Sequence, residues 1–286
     1  AISSVAMTSF SLTIGTTPSL NISSIAFLRL RVSGLSAIAG GAFTPNSLSS
    51  LVTWFDPSYG VYSDAGTTPA VLNDPVYRWV SRNNPAIYVE QVTLANRPLL
   101  KQGANGKYNL QFDGTNDALA SSSYTLNSGA YSTFMAYSCP WTTAKYRHLL
   151  GVGYAAASGC GINTSGGGFS DWSAKMLICV GNGYNSGVAP RNIATYGALT
   201  DSTYHTIGAV LGASNAASYI DGAATTPSVS ATGAVPSVSA GITIGGNTGT
   251  GDYANGNFGH VVFCNSALSA ANIALLNTFL TAEFPT

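Results

Sequence analysis

From about residue 50 onward, the sequence alternates short β-forming runs with clusters of Gly, Asn, Asp and Pro. Short strands and turn signals at this spacing are typical of a β-sandwich or jelly roll. Single sandwich domains of roughly 200 to 250 residues are common, so a chain of 286 residues can hold one domain plus an extension. We therefore predict one all-β domain over residues 50–286. Its clearest predicted strands are residues 110–112, 131–137, 147–151, 175–180, 204–211, 217–220, 241–244 and 258–264.

Two local patterns predict how the later part of this domain is built. Asp221-Gly222 follows an alternating run and predicts a two-residue hairpin turn, because Gly supplies the positive φ that such a turn requires. Near the C-terminus, Ser269 can cap a helix and Pro285 marks its end. Apolar residues recur between them at helical spacing, so we predict one short C-terminal helix. These residues are Ile273, Leu276, Phe279 and Leu280.

Residues 1–45 differ in composition from the rest of the chain. They hold no acidic residue, and their basic residues are Arg29 and Arg31. Alternating apolar positions predict extended structure, and the Gly-rich residues 34–41 predict a hinge. Two or three strands alone are only marginally stable in water. We therefore predict that residues 1–45 form an extended N-terminal arm for assembly or attachment.

The chain carries unusually few charges. Charged residues make up 8% of it, against the roughly 25% of a typical soluble domain. Eleven basic and eleven acidic residues give zero formal charge, so no long-range field collects nucleic acid or anionic lipid. Nucleic acid and membranes are therefore excluded as predicted partners, and no apolar stretch is long enough to span a bilayer. Low net charge favours self-association, which predicts an oligomer or larger assembly.

The cysteines give little support for a zinc site. The chain has 4 of them, widely spaced and without a CxxC pair. Free, buried thiols are the favoured interpretation. Disulfides remain the alternative if the protein is exported.

Several short motifs follow one another along the predicted domain. They are LVTWFD (51–56), RWVS (78–81), ANRP (95–98), LQFDGTND (110–117), YIDG (219–222), ITIGG (242–246) and GNFGHVV (256–262). Together these motifs resemble the concanavalin A-like lectin/glucanase superfamily, in the laminin-G-like branch found in bacterial surface proteins and bacteriophage structural proteins. The resemblance covers about residues 50–284 and implies a two-sheet antiparallel jelly-roll sandwich. The arm lies outside it.

The glucanase branch of this superfamily cleaves glycans with paired carboxyl groups about 5 Å apart. The chain has Glu90 and Glu283 as its glutamates, and neither has an acid two residues away. Asp113 and Asp117 flank a Gly-Thr-Asn turn, where Asp commonly accepts backbone N–H groups. We predict a turn role for this pair, with ligand binding as the alternative.

Other catalytic patterns are also missing from the sequence. There is no G-x-S-x-G elbow, and His148, His205 and His260 all fall within predicted strands. The Gly-rich residues 159–168 lack the ending of a phosphate-binding loop, so we predict a flexible loop there. The sequence therefore predicts a protein without enzymatic activity.

Sugar recognition relies on aromatic faces framed by amide, carboxylate and backbone groups. Loops between residues 141 and 196 concentrate these residue types, whereas Trp54 and Trp79 are predicted to be structural. The alternative is that the loop tryptophans only anchor the loops. The candidate glycan-binding residues are Trp141, Tyr146, Tyr154, Trp172, Asn182, Tyr184 and Asn185.

No cofactor is predicted, with calcium as the open exception. Some relatives hold calcium at the rim of the sandwich, and the ion takes about six to eight oxygen ligands. Asp252 is the loop acid that could contribute here.

Three functional hypotheses follow. The favoured one is a structural protein on a virion surface or outside the cell, such as a capsid decoration protein or tail fibre component. Its arm would join a homo-oligomer or other virion proteins, and its lectin-like sandwich would attach to glycans. The second is a free carbohydrate-binding lectin module with the arm as a linker. The third is a glycan-cleaving enzyme with a rearranged acid pair.

Overall fold

Strands account for most of the ordered elements. The structure, a computed structural model, describes residues 42–121, 125–126, 130–138, 147–152, 160–165, 175–180, 191–194, 203–212, 216–225, 227–231, 238–239, 241–247 and 252–285. Two short 3₁₀ helices span Pro45–Ser47 and Leu94–Asn96, and one α-helix, α1, spans Ala270–Glu283.

The strands are β1 (Leu51–Phe55), β2 (Val61–Tyr62), β3 (Arg78–Val80), β4 (Tyr88–Glu90), β5 (Leu99–Gln102), β6 (Tyr108–Asp113), β7 (Leu119–Ala120), β8 (Thr125–Leu126), β9 (Tyr131–Ser138), β10 (Arg147–Val152), β11 (Cys160–Ser165), β12 (Lys175–Val180), β13 (Arg191–Ala194), β14 (Tyr204–Leu211), β15 (Ala216–Ile220), β16 (Ala223–Ala224), β17 (Pro227–Ala231), β18 (Val238–Ser239), β19 (Ile242–Ile244), β20 (Gly246–Asn247), β21 (Asp252–Tyr253) and β22 (Asn255–Cys264).

Two sheets hold nearly all of these strands. Sheet I has 8 described strands in the order β16-β15-β14-β9-β22-β6-β5, with β1 pairing on β22. Sheet II has 12 described strands in the order β17-β13-β12-β11-β10-β19-β7-β4-β3-β2, with β20 and β21 attached at β10. The described pairs of strands are antiparallel, except for one parallel bridge between β10 and β21. The predicted all-β sandwich of two antiparallel sheets with a short C-terminal helix is confirmed.

Strand β22 shows how the sequence builds the layers. Phe258, Val261 and Phe263 belong to the main core, while Val262 and Cys264 belong to a second cluster beneath α1. Side chains on a strand alternate between its two faces, so β22 contributes to both cores. Sheet I is therefore buried on one face by the main core and on the other by the helix.

Helix α1 forms where the sequence predicted it. Ser269 is the N-cap, and its Oγ accepts the N–H of Asn272 at 3.3 Å. Such a cap satisfies one of the backbone donors left free in the first turn. Ile273, Leu276 and Leu280 are buried against sheet I.

The predicted strands are all present in the structure, and the predicted hairpin turn is confirmed. Asp221 and Gly222 have φ values of 51° and 78° and join β15 to β16. The flexible loop predicted at residues 159–168 is wrong in part, because β11 (Cys160–Ser165) lies there. It pairs with β10 on one side and β12 on the other, and pairing on both edges overrides the low strand propensity of its glycine.

Residues 42–286 form one compact unit. Residues 1–41 lie outside the described residues, so the division into an arm (1–45) and a sandwich (50–286) stays a prediction. Cys264 is a buried free thiol, and the side chains of the other cysteines also lie outside the described part. Among the described helices, none is long and apolar enough to cross a membrane.

Candidate functional site

A row of polar side chains crosses four neighbouring strands of sheet I. Tyr204 pairs with Ser138, Ser138 with Asn257, and Asn257 with Gln111. Directly paired residues in antiparallel strands project from the same face of a sheet. The four side chains therefore form one continuous band, here called the polar row.

Alternation along the strands places this row on the helix side of sheet I. Leu110 and Phe112 point into the main core, so Asn109 and Gln111 project from the opposite face. The same argument applies to Asn257, whose neighbour Phe258 is in the main core. Amide side chains thus continue the outer face of sheet I where α1 ends.

The polar row forms the base of a cavity of about 550 Å³, here called the polar pocket. Amides and hydroxyls dominate its lining. Among the described lining residues, Lys101 is the charged one, and its Nζ donates to Asn73 Oδ1 at 2.8 Å. The lining residues are Lys101, Gln102, Gly103, Ala104, Asn105, Asn109, Gln111, Ser138, Tyr204, Asn257 and Pro285.

Two buried polar atoms in this pocket lack hydrogen-bond partners. They are Asn109 Oδ1 and Tyr204 Oη, and Asn109 is only 3% exposed. Leaving such an atom unpaired costs about 1–3 kcal/mol, so native structures rarely do so without a reason. Because both atoms are closed to solvent, they bear on the stability of the fold and not on what can enter the pocket.

The surroundings of Tyr204 engage both its ring and its hydroxyl. The ring packs on Phe284 with centroids 4.8 Å apart. Burial raises the pKa of the hydroxyl above its ordinary value, and the side-chain interaction with Ser138 opposes this only partly. Ser138 Oγ also accepts from Asn257 Nδ2 at 3.2 Å. Tyr204 therefore stays protonated at neutral pH and can donate or accept.

One wall of the pocket is the turn between β5 and β6, which is tied to the end of α1. Lys107 Nζ lies 2.6 Å from Glu283 Oε2. Asn105 Nδ2 donates to the Glu283 carbonyl at 3.2 Å, and Asn105 Oδ1 accepts the Lys107 N–H at 3.0 Å. These contacts hold the rim of the pocket in place.

A second cavity of about 320 Å³, here called the charged cavity, lies beyond this wall. Trp54 Nε1 donates to His260 Nδ1 at 3.3 Å. Since an indole nitrogen can only donate, the neutral imidazole carries its proton on Nε2. Burial lowers the pKa of His260, and the negative charge of Asp56 opposes this only partly.

The charged groups of this cavity are already paired with each other. Arg82 Nη1 lies 2.5 Å from Asp56 Oδ2, and Ser58 donates to Asp56 Oδ1 through its N–H and its hydroxyl. Trp79 Nε1 donates to the Asp56 carbonyl at 3.0 Å. Trp54 and Trp79 are both buried, as expected of structural residues. A ligand here would have to displace existing bonds, so we favour the polar pocket.

The turn predicted around Asp113 and Asp117 is confirmed. Asp113 Oδ1 accepts the N–H groups of Thr115 at 2.7 Å and Asn116 at 3.3 Å. Asp117 Oδ2 accepts the Asp113 N–H at 2.9 Å. Burial, together with the charge of Asp113, raises the pKa of Asp117 to about 6.

The two glutamates are separately engaged. Glu90 Oε2 lies 2.6 Å from Arg78 Nη2 on neighbouring strands of sheet II. Glu283 pairs with Lys107. Neither carboxylate is paired with another acid in these contacts.

The predicted glycan-binding residues lie outside the described residues, so that site stays a prediction. They are Trp141, Tyr146, Tyr154, Trp172, Asn182, Tyr184 and Asn185. Asp252 begins β21 and its backbone pairs with Asn247, but its side chain is outside the described part. No cluster of three or more metal-binding side chains occurs among the residues that the structure describes. Calcium therefore also stays a prediction.

Sequence reasoning missed the polar pocket. One signal was present, since Asn109 and Gln111 alternate with Leu110 and Phe112. That alternation predicts an amide-bearing outer face on one strand. The site forms only when Gln111 pairs with Asn257, which lies far along the chain.

No family model matches the chain, and no curated protein matches its sequence. Solved structures do resemble its fold. One is the Trypanosoma rangeli sialidase in complex with sialic acid, with a TM-score of 0.54 at 13% identity. That match covers 84% of this chain and 34% of the sialidase chain, so this chain spans about a third of the sialidase.

Two further similar structures are domains. Domain 4 of AbnA, a GH43 extracellular arabinanase from Geobacillus stearothermophilus in complex with arabinotriose, has a TM-score of 0.50 at 13% identity, covering 80% of this chain and 98% of the domain. The binding domain of Paraclostridial Mosquitocidal Protein 1 has a TM-score of 0.51 at 10% identity, covering 70% of this chain and 49% of that one. At such identities the likeness shows the fold, a β-sandwich, and no more.

Proposed function

We propose that this chain is a non-enzymatic surface protein whose β-sandwich binds glycans through the polar pocket. The observation that carries the proposal is the polar row, which places Tyr204, Ser138, Asn257 and Gln111 side by side across four strands. Amides and hydroxyls both donate and accept hydrogen bonds. Sugar hydroxyls do the same, so the row matches the chemistry of a saccharide.

The similar structures support this choice of ligand class. The sialidase is in complex with sialic acid and the arabinanase domain with arabinotriose. Because the identities are low, these complexes favour a saccharide as the ligand class and identify no particular sugar for this chain. The polar pocket supplies the independent argument.

The non-enzymatic part of the proposal rests on the lining of the pocket. Glycoside hydrolysis usually needs two carboxyl groups about 5 to 10 Å apart. No carboxylate belongs to the described lining of the polar pocket. Asp113 and Asp117, which lie close together, are occupied in their turn.

We also propose that the protein is displayed on a virion surface or outside the cell. A neutral chain with only 8% charged residues has little repulsion to oppose packing against copies or neighbours. In this proposal, residues 1–45 attach the chain to a homo-oligomer or to other virion proteins. The sandwich then presents the polar pocket outward as a capsid decoration or fibre component would.

A glycan array tests the proposed binding. The intact chain should bind at least one class of immobilised oligosaccharide, and Gln111→Ala/Asn257→Ala should weaken that binding about ten-fold, because two neutral hydrogen bonds are lost. Asn46→Ala is the control, since it removes an exposed amide outside the pocket.

The same oligosaccharides are then incubated with the protein and analysed for new reducing ends. The proposal expects none above background. Binding that the double variant leaves unchanged, or steady release of reducing ends, would contradict it.

A further inference from the structure

His260 is a buried histidine on β22 that packs against the C-terminal end of α1. It is 4% exposed, and the centroids of the Trp54, Phe279 and Phe284 rings lie 5.7, 5.1 and 5.4 Å from the centroid of its own ring. The imidazole also lines the charged cavity, so protons can reach it from solvent. A side chain that can take up a charge therefore occupies an aromatic cluster.

The hydrogen bond from Trp54 fits only the neutral imidazole. Trp54 Nε1 donates to His260 Nδ1 at 3.3 Å. Both nitrogens of a protonated imidazole are donors, so protonation would leave two N–H groups facing each other. Trp54 is itself only 4% exposed, and its indole N–H would lose its acceptor, which is costly inside a protein. Protonation of His260 therefore breaks a buried contact.

The nearest carboxylate offers no free position for a charged imidazole. Asp56 Oδ1 lies 3.8 Å from His260 Nδ1, which is too long for a hydrogen bond. This oxygen already accepts the N–H and the hydroxyl of Ser58, and Asp56 Oδ2 pairs with Arg82. To bond to Asp56, the protonated ring must turn away from Trp54 and shift within its aromatic cluster.

The packing around His260 favours the neutral ring. Burial has the largest effect and lowers the pKa of the imidazole; Asp56 and Glu283 oppose this, whereas Arg82 and Lys107 act in the same direction. These four charges are paired with each other as two ion pairs. The titratable side chains that share the described lining of the charged cavity with His260 are Asp56, Arg82, Lys107, Tyr108 and Glu283.

Phe284 connects His260 to the polar pocket. Its ring packs on His260 on one side and on Tyr204, at a centroid distance of 4.8 Å, on the other. A Cβ on Gly259 would lie 2.6 Å from Phe284 Cε2, so the ring is seated tightly against β22. The next residue, Pro285, lines the polar pocket. A shift of the imidazole therefore disturbs the lining of that pocket through Phe284.

We infer that protonation of His260 releases the C-terminal end of α1, residues 279–285, and thereby opens the wall of the polar pocket. The released segment carries the two phenylalanine rings that pack on the imidazole. It also carries Glu283, which ties α1 to the turn between β5 and β6. The effect on glycan binding rests on the proposed function, whereas the release itself does not.

The direction of the pH dependence follows from the lowered pKa of His260. An exposed histidine has a pKa of about 6.5, so the released segment lets His260 bind a proton more readily than the packed one does. The packed form is therefore most favoured above about pH 6.5 and is weakened progressively as the pH falls. Acid should loosen the end of α1 and weaken glycan binding together.

Hydrogen exchange of the full chain tests the release. His260→Gln keeps an oxygen that can accept from Trp54 Nε1 but does not titrate, so it is compared with the wild type at about pH 7.5 and about pH 5. The amides of residues 279–285 should be equally protected in both proteins at the higher pH. At the lower pH the wild type should exchange up to about thirty-fold faster, the most that a histidine with a released pKa of about 6.5 can contribute.

Two further variants separate this effect from others. His205→Gln is the matched control, since it removes a histidine that bonds to Asp221 and not to this cluster, and it should exchange like the wild type. Trp54→Phe removes the donor that favours the neutral ring, so it should move the titration of ¹⁵N-labelled His260, followed by NMR, to higher pH.

The results decide between the parts of the inference. Equal exchange of the wild type and His260→Gln at the lower pH overturns it, and so does a His260 titration that Trp54→Phe leaves unchanged, which keeps the test decisive if His260→Gln does not fold. The glycan array is repeated at both pH values. Binding that is lost in acid by the wild type and kept by His260→Gln supports the link to the polar pocket.

The array also distinguishes this inference from the proposed function. Glycan binding that is equal at both pH values, with the end of α1 released in acid, overturns the link to the pocket. Absence of glycan binding at either pH contradicts the proposed function, while a release that depends on His260 would still support the acid response of α1.

Discussion

Asp117 is a buried carboxyl group whose charged form is disfavoured in the folded chain. Burial is the larger cause and the charge of Asp113 the second, and together they raise its pKa from 3.8 to about 6. The unfolded chain has the lower pKa. Between pH values of roughly 4 and 6 the folded state therefore binds more protons, so stability from this group falls as the pH rises through that window.

Asp117→Asn should remove this dependence while keeping an oxygen that can accept the Asp113 N–H. The free energy of unfolding of the variant minus that of the wild type should grow between pH 4 and pH 7, by about 2 kcal/mol. Urea denaturation at several pH values measures the difference. Asp113→Asn is the control, because it removes the smaller cause alone and should give a smaller change. A difference that does not vary with pH would contradict the assignment.

At the level of single residues, the sequence predicted the turn at Asp113 and Asp117 but not the polar pocket. The roles of Asp113 and Asp117 follow from local backbone donors, which a short motif specifies. The polar row depends on Tyr204 and Gln111 lying on the same face, which follows only from the pairing of β6, β22, β9 and β14. No local pattern encodes that neighbourhood.

Between strands β9 and β14, one glycine allows an aromatic ring to lie flat against the sheet. Gly208 pairs directly with Phe134, and a Cβ at Gly208 would lie 2.1 Å from Phe134 Cε1. Phe134 in turn belongs to the cluster beneath α1. The missing side chain at Gly208 thus makes room for the packing of the helix.

Gly208→Ala should therefore destabilise the fold by about 2 kcal/mol, because the ring must move in a packed layer. Combining it with Phe134→Leu should cost less than the sum of the two single changes, since the smaller side chain leaves room for the methyl group. Guanidinium denaturation of the four proteins gives this double-mutant cycle. Strictly additive costs would show that the two residues do not compete for the same space.

Helices and strands whose apolar residues recur at a regular spacing were predictable from the sequence. Strands that form only because a neighbouring strand pairs with them were not. Strand β14 and helix α1 carry several repeats of their apolar pattern, and both were found with close boundaries. Strands β2 and β7 have two residues each and carry no period. Residues 159–168 were predicted to be a loop because they are rich in glycine, but pairing with β10 and β12 makes residues 160–165 a strand.

Across the whole molecule, the position of β22 explains why the sandwich needs its helix. This strand lies between β9 on one side and both β6 and β1 on the other, so it holds the centre of sheet I. All eight residues of β9 beside it are buried. A central sheet with two apolar faces requires a covering layer on each face, and α1 supplies one of them. The sequence predicted both the sheet and the helix, but the strand order depends on contacts between distant segments.

The predicted arm can be tested by removing it from the chain. Residues 42–286 form one compact unit, so a chain that lacks residues 1–41 should keep its cooperative thermal transition and its glycan binding. We expect the full chain to form an oligomer or larger particle and the truncated chain to form a smaller species, because the arm is proposed as the attachment element. Size-exclusion chromatography with light scattering at matched concentrations measures both masses.

The possible results separate the functional hypotheses. Equal masses would favour a free lectin module in which residues 1–41 act as a linker. Loss of the thermal transition would mean that residues 1–41 supply part of the fold, and it would contradict the prediction that they form an arm for attachment. A smaller but folded and glycan-binding species would support the proposed function, with assembly in the arm and glycan binding in the polar pocket.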